Sequence, residues 1–306
     1  MRPKLQKMVS MRVHLPDNSW LEEPRIGENC VLRPELQSRI QPFLDSVAEA
    51  SRALLMLDYD GTLAPFNIER DRAFPGYELV QTLQEIVRDG HTRVVIVSGR
   101  DASELIRLLR IQPMPELWGL HGFQRREPDG TYQLAQLEKN HLDALFDARR
   151  WLEYQRLLPC AEFKTGSIAV HWRGREEREQ ADIRMRVLLG WERLADVAGL
   201  QILEFDGGLE IRVPGPDKGN VVRQLLAEMR ANAPAAYLGD DATDERAFRE
   251  LRGRGLTVLV RSQWRPTAAQ LWMESPSDVS DFLSQWLDAC RKSRARSSAR
   301  AVALSR

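Results

Sequence analysis

Apolar residues along this chain follow two rhythms. From Ala53 onward, short apolar runs with little polar alternation are separated by stretches whose apolar residues recur every three or four positions. "ALLMLDY" (53–59), "TRVVIVSGR" (92–100) and "ELWGLHG" (116–122) read as strands. "GYELVQTLQEIVRDG" (76–90) and "DASELIRLLRIQP" (101–113) read as helices, the first closed by Gly90, the second capped by Asp101 or Ser103. Strands apolar on both faces, alternating with amphipathic helices, predict a parallel sheet covered on both sides. "PDGT" (128–131) reads as a hairpin turn.

After Leu134 the pattern changes. A long helix ("LEKNHLDALFDARRWLEYQRLL") precedes two short strands ("AEFKT" and "SIAVHWR"). A second long helix ("EEREQADIRMRVLLGWERLADVA") precedes two more ("LQILEFD" and "LEIRVPG"). This αββαββ order predicts helices layered on a mainly antiparallel sheet, an α+β module inserted at 135–213. Strand–helix alternation then resumes with "KGNVVRQLLAEMR", "AAYLGDD", "DERAFRELRGRG" and "LTVLV". The fold class is therefore α/β: a parallel-sheet core built from 51–134 and 214–290, interrupted by the module. Residues 1–50 read as an extension, irregular to about 34. A helix then starts at Pro34, its Leu36, Ile40, Phe43, Leu44 and Val47 placed to pack on the following domain. Pro42 is expected to bend or interrupt that helix.

Charge adds one feature. Lys+Arg and Asp+Glu are equal at 44 each, so the whole chain offers no electrostatic reason to expect nucleic acid. Residues 291–306 hold six basic side chains and no acid, which predicts a solvated, disordered tail. Cys30, Cys160 and Cys290 are far apart and form neither a disulfide framework nor a zinc site. The first twenty residues lack the apolar stretch of a signal peptide, and no run reaches membrane-spanning length, so a cytoplasmic protein is expected.

The ends of the predicted strands carry the candidate chemistry. Ligands of open parallel sheets bind at the strands' carboxyl ends. There the chain places Asp58 and Asp60 after one strand and Ser98-Gly99-Arg100 after another. Lys218-Gly219 opens the helix after the module, and "GDDATDE" (239–245) closes a later strand. Turn preference explains any one of these, but not all four together. Clustered Asp58, Asp60 and Asp240 would repel without a hard divalent cation such as Mg²⁺, which prefers oxygen ligands. Lys218 and the groups near Ser98 can then hold phosphate oxygens. A carboxylate nucleophile followed two residues later by an acid suits phosphoryl transfer.

"DYDGTL", "SGR", Lys218 and "GDDATDE" resemble the four ordered motifs of the haloacid dehalogenase superfamily. More narrowly, "GLHG", "EFKTGSIAVHWR", "LEIRVPGPDKGN" and "GDDATDE" are similar to the trehalose-6-phosphate phosphatase family, over about Ala53 to Leu287. The resemblance implies a haloacid-dehalogenase-like Rossmannoid core with an αββαββ cap. It makes Asp58 the nucleophile and Asp60 the general acid/base. Mg²⁺ is held by Asp58, Asp240 and the backbone carbonyl of Asp60, with Asp241 and Asp244 behind it. Ser98, Gly99 and Lys218 take the phosphoryl group.

In the cap, Glu162 and Lys164, two apart and so on one face of a strand, match the family's sugar-contacting pair. Glu210 matches a third contact. Read without the family, that pair is better explained by an exposed cross-strand charge pair. His121 falls near a substrate entrance or packs structurally; His171 lines the cap sheet or is a buried, satisfied histidine. Trp118 and Trp172 read as packing. The implied partner is a small sugar phosphate, with no nucleic acid and no membrane; the assembly state is open, a monomer being compatible. Alternative functions are another capped sugar phosphatase, for glucosylglycerol phosphate or mannosyl-phosphoglycerate, and a catalytically silent sugar-phosphate sensor.

Overall fold

The computed structural model describes residues 34–304, apart from 68, 206 and 275. The expected irregular start therefore lies outside the described residues. Helix α1 (Pro34–Glu49) leads into β1 (Ala53–Leu57), α2 (Tyr77–Asp89), β2 (Thr92–Val97), α3 (Ala102–Leu109) and β3 (Glu116–Gly119). The hairpin β4 (Gln124–Arg126) and β5 (Tyr132–Leu134) follows, turning at "PDGT". Helix α6 (Lys218–Glu228), β10 (Ala235–Gly239), α7 (Glu245–Leu251), β11 (Leu256–Val260), β12 (Leu271–Met273) and α8 (Pro276–Leu304) complete the core.

The eight strands run in the order β12-β11-β10-β1-β2-β3-β4-β5, parallel from β12 to β3 and antiparallel thereafter. Alternation along β1 assigns its two faces. Leu55 and Leu57 pack with Leu83, Leu105 and Trp286 from α2, α3 and α8, while Leu54 and Met56 pack with Val222 and Phe248 from α6 and α7. Because β1 lies between β10 and β2, the residues that follow those three strands converge. Asp58, Asp240 and Ser98 meet there.

The inserted layer consists of α4 (Lys139–Tyr154), β6 (Ala161–Lys164), β7 (Ser167–His171), α5 (Glu177–Ala198), β8 (Gln201–Phe205) and β9 (Gly208–Arg212). Its antiparallel sheet, ordered β6-β7-β9-β8, aligns Glu162 with Ala169 and Ala169 with Glu210 across three strands. Ile168, Val170, Leu209 and Ile211 turn the other way, into an apolar cluster with Leu152, Val187 and Trp191 of α4 and α5. One face is thus left polar. Gly190 lets the two helices close, since a Cβ there would overlap the Trp151 ring.

Two expectations are corrected. The basic segment expected to be a disordered tail is helical: α8 continues to Leu304. Acidic partners on the domain make this favourable, with Arg291 on Glu85, Arg294 on Asp89 and Arg296 on Glu49. Nor does Pro42 interrupt α1, which is helical from Pro34 to Glu49. Burial of Ile40, Leu44 and Val47 against Phe282 and Trp286 offsets the lost backbone hydrogen bond. The sequence reading also passed over β12 and α8, although Val279, Phe282, Leu283, Trp286 and Leu287 recur at helical spacing.

Candidate active site

Asp58 leaves β1 almost fully buried, with its amide bonded to the Leu238 carbonyl. Lys218, the first residue of α6, reaches it from a helix start fixed by an Asp217–Asn220 capping box. Its ammonium donates 2.7 Å bonds to Asp58 Oδ1 and to Asp244 Oδ1. Burial alone would discharge this lysine; Asp244 and Asp58 hold its pKa above the ordinary value. Asp244 is fully engaged, since Tyr237 Oη also donates to Oδ1 while the amides of Asp240 and Asp241 donate to Oδ2. Asp244 therefore acts as an anchor for Lys218 and for the β10–α7 turn. Asp241 closes that turn by accepting from the Ala242 amide at 2.7 Å. Gly239 is required here because a Cβ would strike the Asp244 carboxylate.

Asp58, Asp240 and Asp244 offer carboxylate oxygens within 4.8 Å of one another. Burial pushes the Asp58 carboxyl up despite the opposing pull of Lys218, and Asp244 adds to the rise. Asp240 is pushed up by burial and then by Asp58 and Asp244, and its buried Oδ2 has no donor. Three carboxylates this close and this dry share a single ammonium, that of Lys218, and remain short of positive charge. A hard divalent cation held by Asp58 and Asp240 fits that deficit, and Asp244, already saturated, fits a place behind it.

Asp60 is half-buried and gripped from one side. Arg100, itself buried, donates from Nε to Oδ2 at 2.7 Å and from Nη2 to Oδ1 at 2.6 Å. Its guanidinium also lies 5.4 Å over the Tyr59 ring. Sequence reasoning quoted this arginine within "SGR" but gave it no role. Ser98 Oγ accepts from the Arg100 amide, so the same turn carries the arginine and the expected phosphate contact. A Cβ on Gly99 would collide with the His121 ring, which makes glycine obligatory beneath that histidine.

The polar face of the inserted sheet turns toward these residues. Glu210 is buried and receives Ser167 Oγ at 2.7 Å and Lys164 Nζ at 3.2 Å. Burial would raise its carboxyl, but the Lys164 ammonium and the bonds from Ser167 and Lys164 hold it at about 2. Glu162 is engaged by His171 Nε2 at 2.9 Å and by the guanidinium of Arg70, which the β1–α2 connection supplies from the core. Lys164 Nζ is 3.8 Å from Glu162. Between the two sheets lies a cavity of about 370 Å³, lined on the core side by Asp58, Asp60, Ser98, Lys218 and Asp240 and on the other by Lys164, His171 and Glu210. That volume is in the range of small-molecule sites.

The structure therefore brings the residues named for chemistry and those named for recognition around one space. Glu162 is reached from it through Arg70 and His171, which do line it. His121 lies deeper than an entrance. Burial first, then Lys164, Lys218 and Arg212, push its imidazole down to about 3, so it is neutral. Trp118 and Trp172 are buried, and the Trp118 indole donates to Glu116. Arg70 carried no sequence signal, since it sits in a loop outside every motif.

A family model described as "Trehalose-phosphatase" matches residues 56–277. Among curated relatives, a probable trehalose-phosphate phosphatase 3 of Oryza sativa subsp. japonica is 30% identical over 79% of this chain and 72% of its own length. A trehalose-phosphate phosphatase of Mycobacterium ulcerans (strain Agy99) is 31% identical over 76% of this chain and 60% of that protein, so the chain spans less than two thirds of it. The fold matches the C-terminal domain of the C. albicans trehalose-6-phosphate phosphatase at a TM-score of 0.70 and 20% identity, covering 81% of this chain and 96% of that one. It also matches a haloacid dehalogenase-like hydrolase from Bacteroides thetaiotaomicron at 0.57 and 16%, covering 76% and 99%. A parallel core with its carboxylates at the strand ends, an αββαββ layer facing them and a family match across both regions lead to one conclusion: this chain belongs to the trehalose-phosphatase family.

Proposed function

We propose that the protein is a Mg²⁺-dependent phosphatase that hydrolyses trehalose 6-phosphate to trehalose and phosphate. The observation that carries this reading is the shared cavity, with a phosphoryl-transfer set on its floor and hydrogen-bonding charges on its roof. Asp58 is the nucleophile: its carboxylate oxygen bonds phosphorus as the ester P–O bond breaks, leaving an aspartyl-phosphate. Asp60 gives its proton to the departing sugar hydroxyl, then takes one from the water that hydrolyses the intermediate. Ser98, the Gly99 backbone and Lys218 hold the phosphoryl oxygens. Glu162, Lys164 and Glu210 take sugar hydroxyls. Mg²⁺, held by Asp58, Asp240 and the Asp60 carbonyl, supplies positive charge to the acidic cluster and to the incoming phosphate.

Asp241 and Asp244 support the metal site from behind. Core segments 51–134 and 214–290 do the chemistry while 135–213 acts as the cap that reads the sugar. Cytoplasmic action is consistent with the free thiols of Cys160 and Cys290, and no helix among the described residues is long and apolar enough to cross a membrane.

Phosphate release over a panel of sugar phosphates tests the assignment. Trehalose 6-phosphate is expected to exceed glucosylglycerol phosphate, mannosyl-phosphoglycerate and glucose 6-phosphate in kcat/KM by on the order of a hundredfold, as a hydroxyl-reading site discriminates. A different preferred ester would replace the substrate. No release from any of them would replace the enzyme by a sensor.

A further inference from the structure

The general acid/base and the sugar-reading sheet are joined by a line of alternating charge whose two middle links, Arg100 and Glu104, lie off the cavity lining. Asp60 is held bidentately by Arg100. The remaining guanidinium nitrogen of Arg100, Nη1, is buried without a hydrogen-bond partner and lies 3.6 Å from Glu104 Oε2. The same Glu104 oxygen lies 4.0 Å from Arg70 Nη2. Arg70 in turn pairs through its other nitrogen with Glu162 on β6. One carboxylate oxygen on the first turn of α3 thus faces two guanidiniums and makes a full hydrogen bond to neither. This arrangement has two ways to improve, one of them at the expense of the grip on Asp60.

We infer that Glu104 is a positioning residue that couples sugar recognition at Glu162 to release of Asp60. The inference rests on the proposed roles of those two carboxylates. When sugar hydroxyls take over Glu162, Arg70 loses that ion pair and turns to Glu104. Arg70 takes one Glu104 oxygen, and the other, turned toward the unpartnered Nη1, closes on it and pulls Arg100 off Asp60. A carboxylate clamped by two short bonds to a guanidinium cannot carry a proton to a leaving group; one released from it can. Glu104 lines no part of the cavity, so it acts on the reaction only through Arg100 and Arg70.

The test is a double-mutant cycle read with two esters. p-Nitrophenyl phosphate has a leaving group that departs without a proton and no hydroxyls to engage Glu162. Glu104→Gln keeps the shape of the side chain and removes its charge. In this variant kcat for trehalose 6-phosphate is expected to fall on the order of tenfold, part of the 10²–10⁴ that a placed acid supplies. Hydrolysis of p-nitrophenyl phosphate is expected to stay within about twofold. In a Glu162→Gln background the kcat effect of Glu104→Gln is expected to vanish, since the line is already cut at its far end.

Equal losses on both esters would make Glu104 a structural residue. Additive losses in the Glu162→Gln background, or no loss on either ester, would remove the coupling. The wild type reports separately on the function itself. If it prefers another sugar phosphate, the cycle is run with that ester. If it hydrolyses none, the functional reading falls and the coupling falls with it.

Discussion

Core floor and cap roof both present charge to the cavity, but they hold it differently. On the floor Lys218, Asp58, Asp240 and Asp244 are all under 5% exposed, and Lys218 and Asp244 are fixed by partners within the same core. On the roof Glu162 is 22% exposed and takes one of its partners, Arg70, from the opposite region. A buried, mutually bonded set keeps its geometry whether or not a ligand is present, at a desolvation cost that folding must meet. A partly exposed carboxylate such as Glu162, with exchangeable partners, can trade them for hydroxyls with little loss. The difference fits the proposed division, with the chemistry on the floor and adjustable recognition on the roof.

The sharpest break of that division is on the floor. Asp58→Asn is nearly isosteric and is expected to keep the fold while lowering turnover on every ester by on the order of 10⁴-fold, the scale of a lost nucleophile. EDTA is expected to silence the wild type, and added Mg²⁺ to restore it. Substantial Mg²⁺-dependent phosphate release by the asparagine variant would sink the covalent mechanism.

Roof substitutions should act on one substrate only. Glu162→Ala and Lys164→Ala each remove a charge-assisted hydrogen bond worth about 1.5–3 kcal/mol. In kcat/KM for trehalose 6-phosphate this is a loss of about ten- to hundredfold. p-Nitrophenyl phosphate should change little, so the ratio of the two activities is the informative quantity. The two variants should also separate in thermal stability. Lys164→Ala strips the cation from buried Glu210 and is expected to melt lower, whereas Glu162→Ala frees a partly exposed arginine. Equal loss on both esters would move the pair from sugar reading to structure.

The smallest effect concerns the boundary between the regions. His121 titrates at about 3 in the folded protein, below the ordinary histidine value. The unfolded chain takes up its proton first, so this stability is complete above pH 6.5 and is lost as pH falls toward 3. His171 on the roof, pushed down to about 4 by burial and by Arg70 and Lys164, adds in the same direction. His121→Asn is expected to flatten the fall of urea-denaturation stability between pH 6.5 and 5 by at most about 1.4 kcal/mol per pH unit. An unchanged slope would show that His121 is not held neutral.

The apolar runs were enough to place nine of the strands and the helices between them, because burial on two faces leaves a continuous hydrophobic signature and burial on one face leaves a periodic one. The order of motifs at strand ends was enough to name Asp58, Asp60, Ser98, Lys218 and Asp240 as candidates, since a parallel sheet presents all its carboxyl ends on one side. Spacing placed Glu162 and Lys164 on one face of a strand. What spacing could not supply was partnership across the chain. That Asp244 saturates its oxygens on Lys218 and Tyr237, that Arg100 grips Asp60, that a loop arginine reaches Glu162 and that a basic tail is a docked helix are all decided by contacts between distant segments. Local patterns record which surface a residue buries, whereas the partner of a buried charge depends on which other charges the folded topology brings within a few ångströms.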